Sequence, residues 1–178
     1  AISIIAVLVL AAVLLVAISL ARPEPRSFQP AIAASLIDSA TRTRRITVDA
    51  SQPEAWRFVS LREGRVIERP GAFDWDLTFR RFHVATNGGP GFAGQGSAGL
   101  IDSAGATAPL RQTSRDTTQS GFGKWYDYGF TSHLLTPKSQ RYLVVAADGS
   151  RYILRILSYY CPGARPGCVT IEYSPSVE

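Results

Sequence analysis

Phe73 to Gly89 reads FDWDLTFRRFHVATNGG, and the parity of its apolar residues decides the fold class. Trp75, Leu77 and Phe79 fall on one face of an extended strand, with Asp76, Thr78 and Arg80 on the other. Past Arg80 the bulk moves to the opposite parity, at Phe82 and Val84. That shift requires either a bulge at Arg80-Arg81 or a strand covered on both faces. The run stops at Thr86-Asn87-Gly88-Gly89-Pro90, where Asn and Gly permit a tight turn and Pro90 cannot continue a ladder. The expectation is a central strand in a β-rich domain.

Working outward, Arg141 to Tyr160 (RYLVVAADGSRYILRILSYY) reads as a hairpin closed by a two-residue Asp148-Gly149 turn. That register opposes Ala147 to Ser150, Val145 to Tyr152 and Leu143 to Leu154. Leu143, Val145, Tyr152, Leu154 and Ile156 then form the core face, and Tyr142, Val144, Arg151, Ile153 and Arg155 the other. Cys161 to Cys168 (CPGARPGC) is a tight loop returning the chain into Val169, Ile171 and Tyr173, a further alternating strand. Two cysteines across such a turn can sit about 5.5 to 6 Å apart at Cα, which favours a disulfide. No further Cys or His cluster offers a zinc site, and no CxxC redox motif is present. A disulfide points to an oxidising compartment. Upstream, Arg45 to Ala50 and Ala55 to Leu61 read as strands, the second with Trp56, Phe58 and Val59 inward. Val66-Ile67 then lead through Arg69-Pro70-Gly71 to the central stretch.

DWDLTFRR followed by TNGG resembles the HmuY-like family, extracytoplasmic β-rich proteins whose founding members bind haem. Two flanking segments are similar in the same order: Thr47 to Ser51 before Trp56-Arg57-Phe58-Val59, and the Asp-Gly hairpin from Arg141 to Tyr160. The resemblance covers residues 45–175 or so and implies a mainly β, antiparallel domain outside the cytoplasm.

A chain of 178 residues allows one ordinary domain plus an appendage. Fifteen Gly and eleven Pro favour short strands and turns over long helices. The net charge of +5 comes from arginines that are scattered and often beside acids, as in Arg62-Glu63 and Arg115-Asp116. This is not the basic patch of a nucleic-acid binder, and fits an acidic partner or anionic headgroups better.

Ala1 to Ala21 is an uninterrupted run of Ala, Ile, Val and Leu apart from Ser3 and Ser19. A secretory signal is the rival reading, but its apolar core is typically about 7 to 15 residues. The expected organisation is a transmembrane helix over 1–22, a proline-rich stalk with a short helix or loop over 23–44, and an HmuY-like β domain over 45–178. Arg22 and Arg26 alone would place their flank in the cytoplasm. The cysteines and the resemblance instead put the C-terminal domain in the periplasm of a single-pass inner-membrane protein.

Arg42, Arg44 and Arg45, together with Trp125 and Tyr126 in the aromatic segment GKWYDY, are the candidate contacts for a partner subunit or for headgroups. Residues 88–123 are rich in Gly, Ala, Ser and Thr, carry no phosphate-loop motif, and read as a long surface loop and candidate contact surface. No nucleophile elbow, metal-binding histidine pair or acid/base carboxylate pair is present, so no catalysis is expected. Asp74 and Asp76 read as polar strand positions. His83 and His133 are the two histidines, and without methionine they alone would ligate a haem iron. The functional expectation is an accessory subunit of a larger bacterial membrane complex, a photosynthetic reaction-centre–light-harvesting assembly being one candidate, with no cofactor of its own. The alternative is a membrane-anchored haem-binding protein using His83, His133 or both.

Overall fold

A computed structural model describes residues 2–20, 23–89, 91–101, 107–108 and 122–176. The chain opens with helix α1 (Ile2–Leu20), and the rest is β: β1 (Ser35–Asp38), β2 (Thr43–Asp49), β3 (Arg57–Ser60), β4 (Arg65–Ile67), β5 (Leu77–Arg80), β6 (His83–Thr86), β7 (Ser97–Ile101), β8 (Thr107–Ala108), β9 (Tyr126–Tyr128), β10 (Leu135–Pro137), β11 (Arg141–Val145), β12 (Arg151–Cys161) and β13 (Arg165–Pro175). Seven strands form one antiparallel sheet in the order β1-β2-β13-β12-β11-β7-β8, four form a second in the order β4-β3-β5-β6, and β9 pairs with β10 alone. The core lies where the two larger sheets face each other. It joins Ile46, Val48, Leu154, Val169 and Ile171 to Val59, Leu77, Phe79 and Val84, all nearly inaccessible to water.

The stretch that decided the fold class is two strands rather than one. Trp75, Leu77 and Phe79 are buried together, as their parity requires. The parity shift after Arg80, however, is neither a bulge nor a doubly covered strand: Arg80 pairs with His83, and the chain reverses at Arg81-Phe82. Arg81 takes φ +54° to do so. No Gly or Asn marks the reversal, which is why the sequence hides it.

The β11–β12 hairpin differs from expectation by one residue. Val145 opposes Arg151 and Val144 opposes Tyr152, so the loop is Ala147-Asp148-Gly149, with Gly149 at φ +85° as its third residue. A one-residue change of register inverts the faces of one strand. On β11 it is Tyr142 and Val144 that are buried, while on β12 the expected Tyr152, Leu154 and Ile156 stay inside.

Ala31 to Ala40 contains no helix: Ala33 bridges Arg65, and β1 adds an exposed edge to the large sheet. The proline-rich segment is no free stalk. The Phe28 N–H donates to the Tyr160 carbonyl, the Ala31 N–H to the Thr47 carbonyl, and the Ser158 hydroxyl to the Arg26 carbonyl. The long loop also contributes more than surface. β7 pairs along the whole of β11, Phe92 packs edge-on to Trp56 and Trp75, and Phe122 is buried. Much of the remainder of 88–123 lies outside the described residues.

Helix α1 is 19 residues long. Among the described residues no helix is long and apolar enough to cross a membrane. The described side chains of α1 are those of residues 3–17. All of them are exposed, on every side of the helix. The expected transmembrane segment over 1–22 is therefore seen as an apolar helix that the β domain leaves uncovered.

Candidate functional site

The residues that carry the family resemblance hold loops in place. Asp76 is buried at the start of β5, where one carboxylate oxygen accepts from the Leu61 N–H at 2.7 Å and the other from the Ala147 N–H at 3.0 Å. It thereby ties the β3–β4 turn to the β11–β12 hairpin. Burial pushes its pKa up, against the lowering effect of those two hydrogen bonds. Asn87, fully buried, donates its side-chain N–H groups to the carbonyls of Trp75 at 2.7 Å and Ala72 at 3.2 Å. Gly94 folds back onto it so closely that a Cβ there would lie 1.4 Å from Asn87 Oδ1. Asp74 accepts from the Gly71 N–H and closes the turn before β5. Asp76 and Asn87 are thus structural clamps in closed surroundings, while Asp74 is exposed.

The disulfide is formed: Cys161 and Cys168 are bonded, with Cα atoms 4.9 Å apart. Asp49 lies beside them. With both thiols consumed, the trio offers no thiolate to a metal.

The expected contact residues do not form one surface. Trp125 is 1% exposed and donates its indole N–H to the Phe82 carbonyl at 2.9 Å, so it is core. Tyr126 is half-buried against Phe82 and beneath the Lys124 ammonium. Arg45 is engaged with Glu172 at 2.9 Å and lies over the Phe28 ring, while Arg44 donates to the Arg62 carbonyl. Arg42 is exposed in the β1–β2 turn, one full strand length, roughly 20 Å, from the disulfide end of β2. What the sequence groups by proximity, the sheet separates.

Two adjoining clefts occupy the other end. The larger, about 630 Å³, is walled by Pro23–Pro25, Phe82, Tyr128, His133, Leu134 and Tyr159–Tyr160, with Arg81 at its edge. The second, about 340 Å³, shares Pro23–Pro25, Leu134, Leu135 and Tyr160 and adds Arg26. The β9–β10 hairpin is fastened to β12 by the Leu135 N–H donating to Tyr160 Oη at 2.7 Å. His133 occupies the hairpin loop at φ +56°, its Nδ1 2.5 Å from Tyr128 Oη. His83 is on β6, its ring stacked on Phe82 at 4.4 Å between centroids, and is not among the cleft-lining residues. The structure thus brings one histidine, not the pair, to the aromatic cleft.

For a haem group the fit is partial. The cleft is roomy, aromatic and apolar, and a ligating histidine needs its second ring nitrogen held, as Tyr128 holds His133 Nδ1. Were haem to bind there, His133 Nε2 would be the ligand and Arg81 the one cation lining the cleft.

No protein-family model matches the chain, and no curated protein does. Similarity appears at the level of solved structures. A candidate lipoprotein of Bacteroides fragilis superposes with TM-score 0.59 at 20% identity, covering 83% of this chain and 97% of the other. A candidate HmuY-like haem-binding protein of Bacteroides vulgatus gives 0.56 at 18%, covering 83% of this chain and 100% of the other. An apo HmuY analogue of Tannerella forsythia gives 0.53 at 14%, covering 76% and 96%. The β domain therefore has the HmuY-like fold. None of these similarities points to a photosynthetic assembly.

Proposed function

We propose that this chain is a non-enzymatic, membrane-attached accessory protein whose HmuY-like domain makes protein contacts outside the cytoplasm. One observation carries the reading: α1 is apolar all round, and every described side chain from 3 to 17 is exposed. A helix without a polar face is not stable in water and needs a bilayer or partner helices around it. In this reading α1 is a single-pass attachment for the domain. The disulfide and the lipoprotein-like and HmuY-like neighbours support an extracytoplasmic, membrane-associated location. Extraction of native membranes in mild detergent tests it. Migration of the protein with a large multi-subunit complex is expected, and migration alone near its own mass would overturn the accessory role.

A second reading rests on the aromatic cleft and on the haem-binding description of one structural neighbour. If the domain takes haem, His133 is the ligand from inside the cleft. A haemin titration of the full chain in detergent should then show a Soret shift that His133→Ala removes. A shift lost in His83→Ala but kept in His133→Ala would refute this assignment.

A further inference from the structure

We infer that the β9–β10 hairpin, with Phe130 and Tyr128 at its tip, rests in the headgroup layer of the membrane beside the end of α1. The inference builds on the proposed membrane attachment of α1. Phe130 is 82% exposed, more than any other large apolar side chain described, and Tyr128 is 49% exposed. A six-residue interval of otherwise polar or small residues does not require two exposed rings for folding. Their presentation is fixed rather than frayed: the Gly129 N–H donates to the Leu134 carbonyl at 2.8 Å and the His133 N–H to the Gly129 carbonyl at 2.7 Å.

Covalent geometry says what lies next to them. Pro23 follows Leu20 by three Cα steps, so it sits within about 11 Å of the end of α1. Pro23–Pro25 line the same clefts as Tyr128, Ser132, His133 and Leu134. The hairpin is therefore tied to the connector at the level where α1 leaves its apolar surroundings. Arg26 and Arg81 line these clefts and Glu24 is the one acid among their lining residues, a balance that suits anionic headgroups. Aromatic tips are what the interfacial layer accommodates.

Spin labels measure this directly, because both native cysteines are consumed by the disulfide and a single introduced thiol takes the label. The full chain is reconstituted in phosphatidylcholine–phosphatidylglycerol vesicles with the label at Phe130→Cys, at Leu10→Cys on α1, or at Leu36→Cys on exposed β1 as the aqueous reference. Collision with oxygen and with a water-soluble nickel chelate reports depth. The expected result is a Leu10 label in hydrocarbon, a Leu36 label in water, and a Phe130 label with several-fold lower chelate access than Leu36, about 5–10 Å into the headgroup and acyl boundary. A Phe130 label as open to chelate as Leu36, with Leu10 in hydrocarbon, overturns the interfacial contact and leaves the attachment of α1 standing. A Phe130 label shielded from both relaxants signals a protein contact and overturns the lipid assignment. A Leu10 label open to chelate overturns the attachment and the hairpin contact together.

Discussion

The β5–β6 and β9–β10 hairpins meet where Phe82 packs on Tyr126, and each carries one of the two histidines. In other respects they are opposites. Every residue of β5–β6 from Leu77 to Phe79 and from Val84 to Thr86 is buried, and Asp76 and Asn87 clamp its open end with hydrogen bonds to backbone groups. The β9–β10 hairpin buries none of its strand residues and ends in an exposed loop. The first is packed into the fold and meets the larger cleft only through Arg81 and Phe82 of its turn. The second lines both clefts and spends its aromatic residues on the surface. Similar local topology is therefore buried in one place and exposed in the other.

Asn87→Ala should show the largest effect. It removes one buried and one part-buried hydrogen bond and leaves the Trp75 carbonyl unsatisfied, a loss of about 2–3 kcal/mol in urea-induced unfolding. A loss below about 1 kcal/mol would break the contrast, since the clamp would then be decorative. Trp125→Phe probes the junction itself by deleting the indole N–H bond to the Phe82 carbonyl and leaving a small void. A cost of about 1–2 kcal/mol is expected, with changed near-ultraviolet dichroism at the Phe82–Tyr126 contact.

Glu172 gives a calibration from outside both hairpins. Burial alone would raise its pKa, but hydrogen bonds from Arg155 at 2.7 Å and Arg45 at 2.9 Å more than offset this and hold it below its ordinary 4.5. Because the folded value is the lower one, its stabilisation is complete above pH 4.5 and is lost as pH falls through the folded value. Glu172→Gln should cost about 1 kcal/mol at pH 7, given the exposure of Arg155, and the difference from wild type should shrink on acidification. A difference that does not change with pH would mean that shape, not charge, matters there. The smallest effect belongs to Phe130→Ser, which should move unfolding by no more than about 0.5 kcal/mol while diminishing any function of the exposed loop. Marked destabilisation would show the second hairpin to be as structural as the first.

The sequence made the sheet chemistry legible where burial is one-sided. Trp75, Leu77 and Phe79 on one parity, Tyr152, Leu154 and Ile156 on another, and the Cys161–Cys168 loop all lie as their spacing requires. It was opaque where the backbone takes a form that its residue types do not advertise. The Arg81-Phe82 reversal uses a positive φ on an arginine, and the Ala147-Asp148-Gly149 loop places its glycine third instead of second. β1 and β7 were missed because their residues, Leu36-Ile37 aside, carry little of the alternating bulk by which a strand is recognised. The clefts were invisible for a different reason. Their walls come from the connector, the β5–β6 turn, the β9–β10 hairpin, the end of β12 and the disulfide loop, and no local pattern announces such a convergence. Trp125 and Tyr126 show the limit of proximity in sequence: one is sealed in the core and its neighbour is only half-covered.

The connector from Pro23 to Ala31 has a consequence for encounters. Nine residues of flexible chain would have a root-mean-square reach of roughly 16 Å. Here Arg26, Phe28 and Ala31 are hydrogen-bonded to the domain's own sheet, so that leash is wound in. A partner that touches both connector and sheet meets chain that is already ordered, so less of the contact energy goes to restraining it.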